Sequence, residues 1–564
     1  MVSSKARLGE SLVRFLFVLL LGSLGGCEAP DGEDYDEDED EEGEDEEDEE
    51  DEYRLSAIGA NFRVTFSAAS LQGNETSAVG FPSSPGIKLF VSYNSNPLTP
   101  RPDGTTTRCG WAVSLNGAGF ASYDDGTTPL PGYGAGSDGS PYKFCLGDTW
   151  STDASYSQTS PNVAMVAIAR NTNPEPLQCG HDGWRDVAMW TSTNGGSSFS
   201  SVALLSNQMS SGGCVDGPKV EWDATNHTAW VWWWNFNKIY LRPVAISAGG
   251  AITPGATIDL TGKLKHNSPT HVTMAIKPGA VGGPPTIWLA YADDGHGQWT
   301  HCELPANWQT ISVNWWLSNS TDGGVTWTHL KVDSDPAWPR CISATERGAN
   351  RTMISSIYDP SSDRVMVAYS RHIDDSAGNF VGTRIKIKQT PRADGNPNFF
   401  NSWTSMCNAA VCPQPPPTGM TCFIEGAPPV GETFCHEFGP ALGVKSSGTR
   451  RVAVVWHDTR DSQLNPAFPH PAVGDNVTVK PLLSDVRGVS LRSGSPYDLE
   501  PRTGGNLTPV GASIPWQEKG QNGNLWWGDY EDGVVNWGTK FYGIWGDNRD
   551  GTTTTKLYGA EFNE

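Results

Sequence analysis

Apolar residues in this chain gather in short runs of strand length. Many runs alternate with polar neighbours, and they come in pairs separated by polar, glycine-containing turns. "IKLFVSYNS" is followed by "GWAVSLNGAGF", and "PNVAMVAIARN" by "VAMWTSTNGGSSF". "GPKVEWDATNHTAWVWWWN" precedes "IYLRPVAIS", and "TIWLAYADD" precedes "ISVNWWLSNSTDGGVTW". Then come "RVMVAYSRH" with "TRIKIKQT", "RVAVVWHDTRD" with "VTVKPLLSD", and "KFYGIWGDNRDG" with "TKLYGAEF". That is seven copies of one unit at irregular spacings of about 50 to 90 residues, or six if one copy is split. A period near two marks strands packed on one or both faces.

One such unit cannot bury its own faces, so the copies must pack against one another. Radial packing of four-stranded sheets, the β-propeller, does this and leaves only short edges. A β-solenoid needs shorter, more uniform repeats. Separate immunoglobulin-like domains need about 100 residues each and linkers between them. The pattern therefore predicts an all-β chain with a propeller of six or seven four-stranded blades over residues 54–564, and seven blades by repeat count.

Composition agrees: of 564 residues, 18% are charged, with 63 Gly, 40 Pro and 23 Trp, a balance of tight turns and strands rather than helices. The start of the chain is different. Lys5, Arg7 and Arg14 precede the apolar "FLFVLLLGSLGG", too short to span a bilayer, where about 20 apolar residues are needed. The junction "LGGC" at 24–27 resembles the lipobox of bacterial lipoproteins. That resemblance implies a signal peptide over 1–26, acylation of Cys27, and export to a lipid-anchored place on the cell envelope. Glu28 in the next position favours the outer membrane.

Residues 28–52 hold 20 Asp or Glu and no base. The net charge of −25 is thus mostly local: adding back 20 and removing the +2 of the first 27 residues leaves −7 for residues 53–564. Such density of like charge extends a chain and buries nothing, so residues 27–53 are expected to be a disordered acidic stalk. Nucleic-acid binding needs a basic footprint and is excluded on charge.

With Cys27 assigned to lipid, ten cysteines remain, an even number suited to disulfides in an exported chain. Neighbourhood pairs Cys109 with Cys145, Cys179 with Cys214, and Cys302 with Cys341. Cys407, Cys412, Cys422 and Cys435 cluster in a Pro-rich insertion over 397–435, a loop of the kind that carries recognition or stiffens a scaffold. The uneven gaps of that cluster lack the paired CxxC knuckles of zinc sites, and no metal or other cofactor is expected.

"STDGGVTW" places Ser320, Asp322, Gly324 and Trp327 in the Asp-box pattern S-x-D-x-G-x-x-W. "STNGGSSF" repeats it with Ser192, Asn194, Gly196 and Phe199, and "SLNGAGF" at 114–120 is a worn copy one residue short. The chemistry is that of a turn. An Asp or Asn side chain accepts backbone N–H bonds, glycine allows the left-handed geometry, and the ring folds back to bury about 2 kcal/mol of apolar surface. Asn can replace Asp in this role, whereas it would disable an acid catalyst.

These motifs resemble the sialidase-like (BNR/Asp-box repeat) β-propeller superfamily, and the repeats extend the likeness over roughly residues 55–564. In that family Asp boxes lie at the periphery, away from the catalytic centre, so they transfer architecture and not activity. The resemblance implies an Arg-Ile-Pro near the start, an early aspartate, further arginines for a substrate carboxylate, and a late Tyr–Glu nucleophile pair. Here "NFRVTF" offers Arg63 without the proline, and no aspartate lies between Arg63 and Arg101. Arg340, Arg347 and Arg351 are the spare arginines, and Tyr530 with Glu531 in "WWGDYEDG" is the candidate late pair, although neighbours on a strand face opposite ways.

Other features are particular to this chain. "WHDTRD" and "WGDNRD" repeat W-x-D-x-R-D at the ends of two apolar strands. They put Asp458 beside Arg460 and Asp547 beside Arg549, either as ion pairs closing a strand or as ligand contacts at the rim of the central depression, with Asp529 nearby in sequence to the second. "WVWWWN" puts Trp230, Trp232 and Trp234 on one face and Trp233 on the other, suited to core packing or to stacking on sugars. His296, His301 and Glu303 with His271 are a conceivable metal set, disfavoured because Cys302 is expected in a disulfide. No serine-hydrolase elbow, Walker loop or HExxH is present. The expected function is binding of an extracellular glycan, or another polymer or protein partner, without catalysis. The alternative is an exo-sialidase or other glycoside hydrolase of the same superfamily, and a structural partner of an envelope complex is a third reading.

Overall fold

Runs rich in Val, Ile, Trp and Tyr become strands because β-branched and aromatic side chains pack well on a pleated surface. A computed structural model describes residues 62–65, 71–81, 87–97, 108–115, 119–124, 130–132, 142–157, 160–171, 185–206, 215–235, 238–265, 270–293, 310–339, 353–374, 377, 380–390, 437–444, 450–458, 483–493, 499–506, 514–515, 534–537, 540–547 and 556–562. The chain divides into two units, Met1–Glu52 and Tyr53–Glu564, and every described residue belongs to the second. Among the described residues there is no helix.

The described residues form seven antiparallel sheets that follow one another. The first holds β2 (Leu71–Gly80), β3 (Ile87–Pro97), β4 (Arg108–Leu115) and β5 (Gly119–Asp124). The second holds β6 (Tyr142–Asp153), β7 (Val163–Asn171), β8 (Arg185–Ser192) and β9 (Ser201–Leu204). In the third, β10 (Val215–Asp223), β11 (Thr228–Asn235), β12 (Lys238–Ile246) and β13 (Ile252–Pro254) are joined by β14 (Ile258–Asp259), which also pairs with β12. The fourth is β15 (Thr270–Lys277), β16 (Thr286–Asp293), β17 (Thr310–Ser320) and β18 (Thr328–Pro339), and the fifth is β19 (Ile354–Asp359), β20 (Arg364–Asp374) and β21 (Phe380–Gln389). The sixth contains β22 (Glu437–Val444), β23 (Arg450–Asp458), β24 (Leu483–Ser493) and β25 (Leu499–Asn506), with β26 (Ile514–Pro515) on β24. The last comprises β27 (Val534–Trp537), β28 (Lys540–Asp547), β29 (Lys556–Phe562) and, from the other end of the chain, β1 (Phe62–Arg63).

The first strands β2, β6, β10, β15, β19, β22 and β27 each adjoin the next, and β27 adjoins β2, so they ring one axis. This is a β-propeller. Each repeat copy read from the sequence falls on its own sheet, mostly as the second and third strands. One reading needs correction: the partner of β23 is β24, which overlaps "VTVKPLLSD" only at its last three residues.

The core lies between sheets. Phe90, Trp111 and Val113 of the first sheet meet Met165, Ala167 and Trp190 of the second. Trp233 faces the second sheet, beside Val166 and Met189, while Trp230, Trp232 and Trp234 face the fourth, with Leu289 and Tyr291. All four tryptophans are at most 9% exposed, so "WVWWWN" is interblade core and not a sugar platform. Trp456 and Trp545, the first residues of the two W-x-D-x-R-D motifs, are likewise buried. Cys109 and Cys145 form the disulfide expected from their spacing, tying β4 to β6. Cys27, Cys179, Cys214, Cys302, Cys341, Cys407, Cys412, Cys422 and Cys435 lie outside the described residues.

Candidate functional site at the hub face

Strand direction divides the propeller into two ends. First and third strands end on one face, where second strands begin. The turns at 320–327 and 192–199 lie there, between β17 and β18 and between β8 and β9. The Asp322 carboxylate accepts hydrogen bonds from Ser320 Oγ (2.8 Å), the amides of Val325 (3.0 Å) and Thr326 (2.9 Å), and Thr326 Oγ1 (2.6 Å). Ser320 Oγ in turn accepts from Gly324 N at 2.7 Å, and Trp327 Nε1 donates to the Gly324 carbonyl. The Thr326 bonds, with those from Ser320 and Val325, lower the Asp322 pKa to about 2 against burial pushing the other way. Asn194 does the same work with Ser192 Oγ at 2.8 Å and Ser198 N at 2.9 Å. Gly196 and Gly324 have φ of 89° and 90°, and Phe199 lodges against Trp111 and Phe90. Among the described residues, the side-chain hydrogen bonds of Asp322 and Asn194 stay within their own turns. Both residues are pins.

The opposite face carries a feature that sequence reading missed. Five of the first strands bulge at one level, with an extra residue between Asn74 and Ser77, Gly147 and Trp150, Asp216 and Lys219, Thr270 and Thr273, and Phe438 and Ala441. In four of them the residue entering the bulge is left-handed: Asp148 (φ 48°), Gly217 (52°), His271 (46°) and Gly439 (61°). Glycine adopts this geometry freely, but Asp148 and His271 hold it at a cost of order 1 kcal/mol or more each, and such residues gather at functional sites. In a radial sheet, first-strand side chains face neighbouring blades, and a bulge re-aims them. The only sequence hint is Gly-Pro within two otherwise strand-like runs, "VDGPKV" and "EFGPAL".

The bulges sit on a firm lattice. Asn94 Nδ2 donates to Asp148 Oδ1 at 3.4 Å. Just beyond the bulges, Ser77, Ser92 and Ser151 join β2, β3 and β6 through their hydroxyls, and Thr273 bonds Ser356 at 2.8 Å. Lys219 is 8% exposed, with Nζ 3.8 Å from the centroid of the Trp150 ring, a cation–π contact between neighbouring first strands.

Second strands end on this same face, and their last residues form a series: Asn171, Asn235, Asp293, Asp374, Asp458 and Asp547, with Asn96 next to last in β3. By residue type, these strand ends are amides in the first three sheets and acids in the other four. Asp458 and Asp547, read from the W-x-D-x-R-D repeats, are two members of it, in register with Asp485 and Lys556. Arg460, Arg549, Asp529, Tyr530, Glu531, Arg340, Arg347, Arg351, His296, His301, Glu303 and the loop 397–435 lie outside the described residues. Arg63 is on β1, the outermost strand of the seventh sheet, and its Nε donates to the Thr65 carbonyl at 2.6 Å. It is not brought to the axis.

Three tyrosines donate to carboxylates among the described residues: Tyr369 to Asp333 (2.6 Å), Tyr358 to Asp363 (2.9 Å) and Tyr542 to Glu561 (3.2 Å). Burial first, and the neighbouring negative charge second, raises the pKa of each phenol. Each phenol keeps its proton and donates a hydrogen bond to its carboxylate partner. Among the described residues no His, Cys, Asp and Glu group is placed to hold a metal ion.

No protein-family model matches the chain, and no curated protein matches it. Among solved structures it is similar to the NanB sialidase of Streptococcus pneumoniae, at 9% identity over 72% of this chain and 67% of that one, with a TM-score of 0.36. It is also similar to a leech intramolecular trans-sialidase (10%, covering 72% and 68%, TM-score 0.36). A third is the GH93 α-L-arabinofuranosidase of Fusarium graminearum (7%, covering 72% and 93%, TM-score 0.37). The assignment of the fold rests on the sheet order and ring closure above.

Proposed function

We propose that the protein is a glycan-binding propeller whose ligand sits on the hub face, over the first-strand bulges and within the ring of second-strand ends. The observation that carries this reading is the strained pair Asp148 and His271, held left-handed at equivalent positions where turn geometry alone would favour glycine. Planar amide and carboxylate groups, such as those closing the second strands, suit the paired hydroxyls of sugars, because each offers two hydrogen-bonding atoms at fixed spacing. None of these closing residues is a base. That favours uncharged or aminated sugars over carboxylate-bearing ones.

We further infer that the propeller is exported and lipid-anchored through Cys27, with the acidic residues 28–52 as spacer. A mature protein with an unacylated N-terminus, seen by mass spectrometry, removes this part of the reading.

The test is a glycan array run beside fluorogenic glycosides, sialosides included, with wild type, Asp148→Gly and His271→Gly. Glycine relieves the left-handed strain, so stability is expected to hold or rise by up to about 1 kcal/mol while glycan binding falls. Binding without turnover is the expected wild-type result. Turnover of any glycoside moves the protein to the enzyme reading. Unchanged binding in both variants places the ligand elsewhere.

A further inference from the structure

Each hub bulge places two residues where the paired strand has one, and the second of the two divides the sheets by chemistry. It is Thr76 in β2, Thr149 in β6, Pro218 in β10, Val272 in β15 and Pro440 in β22. All five are buried. In the third, fourth and sixth sheets the position is apolar, and in the first and second it carries a hydroxyl. Thr76 and Thr149 are both 0% exposed, and among the described residues neither Oγ1 has a hydrogen-bond partner. Ser95 Oγ is likewise buried and without a partner. It belongs to β3, opposite Gly73 and one step from the Asn74–Asn94 pair that opens the β2 bulge. Of the four buried side-chain hydroxyls without a partner among the described residues, these are three, and the fourth, Ser370, is in the fifth sheet.

A buried hydroxyl without a partner forgoes the hydrogen bonds it makes to water in the unfolded chain, so native chains pair nearly all such groups. Valine has nearly the shape of threonine, forms strands as well, and already fills this position in the fourth sheet as Val272. Packing therefore gives no reason for two threonines here, whereas their hydroxyls do. The surroundings are polar. Thr149 follows Asp148, the left-handed residue whose carboxylate accepts from Asn94 Nδ2 at 3.4 Å. The hydroxyls of Ser77, Ser92 and Ser151 lie just beyond, but they bond to one another and to backbone, and leave the two threonines unserved.

We propose that Thr76 and Thr149 are specificity-determining residues of the hub face: each hydroxyl takes a hydroxylic oxygen from outside the chain, either a sugar hydroxyl or the water that relays to it. The ligand then lies off the propeller axis, over the first and second sheets. The proposal rests on the reading of that face as a glycan site. A threonine hydroxyl both donates and accepts, which matches the two-way hydrogen bonding of water and of a sugar hydroxyl. Burial of both groups makes water the resident partner and a sugar hydroxyl its replacement on binding. A site of this kind discriminates against an analogue that lacks the hydroxyl, because the threonine is then left unpaired. The apolar equivalents Pro218, Val272 and Pro440 offer no such test of the ligand.

The experiment uses the full chain as wild type, Thr76→Val, Thr149→Val, Thr76→Ser and Thr149→Ser. Each is placed on an array of neutral, N-acetylated and sialylated oligosaccharides, the best-bound glycan is titrated, and urea midpoints are measured without glycan. The valine variants are expected to bind about tenfold more weakly, and the serine variants, which keep the hydroxyl, close to wild type. Deoxy analogues of the titrated glycan separate the two sources. With direct contact, one analogue binds wild type and valine variant alike. With a water relay every analogue keeps the gap, and the valine variants unfold at lower urea. Valine variants that bind as tightly as wild type overturn the proposal, as do serine variants that bind as weakly as the valine ones. If wild type binds no glycan, the reading of the hub face falls, and the midpoints then decide for the hydroxyls. A lower midpoint in the valine variants keeps them as a water-holding site, and a higher one removes that as well.

Discussion

Asp322 has the residue type, the motif and the depressed pKa that invite a catalytic reading, yet every one of its bonds stays within its own turn. A pKa of about 2 against an ordinary 3.8 means the folded state prefers the carboxylate. The stabilisation is therefore present above about pH 4 and is lost as pH falls toward about 2. Because the turn is open to solvent, the effect is discounted to about 1 kcal/mol or less. Asn194 shows that an amide can fill the role without a charge. Asp322→Asn should thus cost little near neutrality and should lose this acid sensitivity. Urea midpoints for wild type and variant at about pH 5 and about pH 2.5 check it: the gap between them should close at the lower pH. A gap that widens on acidification would mean that Asp322 carries its proton in the folded state.

At the scale of elements, second and third strands were legible because both their faces are buried between blades, which leaves near-continuous apolar runs such as "VAMVAIA" and "RVMVAYS". First strands were not. The bulges at Asp148, Gly217 and His271 break the alternation with residues that share no type, so these strands look least regular in sequence. Fourth strands such as "SVAL" are short and only half-buried, and carry little signal. The same division holds for the candidate site. Asp458 and Asp547 enter the proposed site through a repeated word, whereas Asp148 and His271 stand out only when neighbouring strands are placed. The Cys109–Cys145 pair was legible from spacing, and it welds the third strand of one sheet to the first strand of the next. It closes a loop with a sequence separation of 36, and both residues are at most 2% exposed. Replacing both by Ser should lower stability by about 2–4 kcal/mol, most of it through the unfolded chain. Equal denaturant midpoints for wild type and the double variant would show that neighbouring sheets are locked by packing alone.

A ring of sheets must be closed by something, and here the two ends of the propeller do it. β1 pairs with β29 through Phe62 opposite Gly559 and Arg63 opposite Tyr558. Val64 N donates to the Leu557 carbonyl at 2.9 Å, and Leu557 N donates to Thr65 Oγ1 at 3.1 Å. Val64 is wholly buried among Val91, Tyr93, Ile544 and Leu557, so the closing strand is also a wedge between the seventh and first sheets. Burying Val64 contributes about 2 kcal/mol, and each closing hydrogen bond adds about 1 kcal/mol. A chain beginning at Tyr53 retains the clasp, while one beginning at Ser67 lacks it. The first should melt like the full chain if the acidic residues it lacks, as their charge density predicts, form no part of the core. The second should lose about 3–5 kcal/mol in its urea midpoint, and its first sheet should exchange amide hydrogens faster than its fourth. If both truncations unfold alike, the ring is held by interblade packing all the way round, and the strand at the start of the chain is a passenger. If only the shorter one fails, the hub face has its geometry because the circle is shut, since β2, which carries a bulge, adjoins β27 and β28 at the seam.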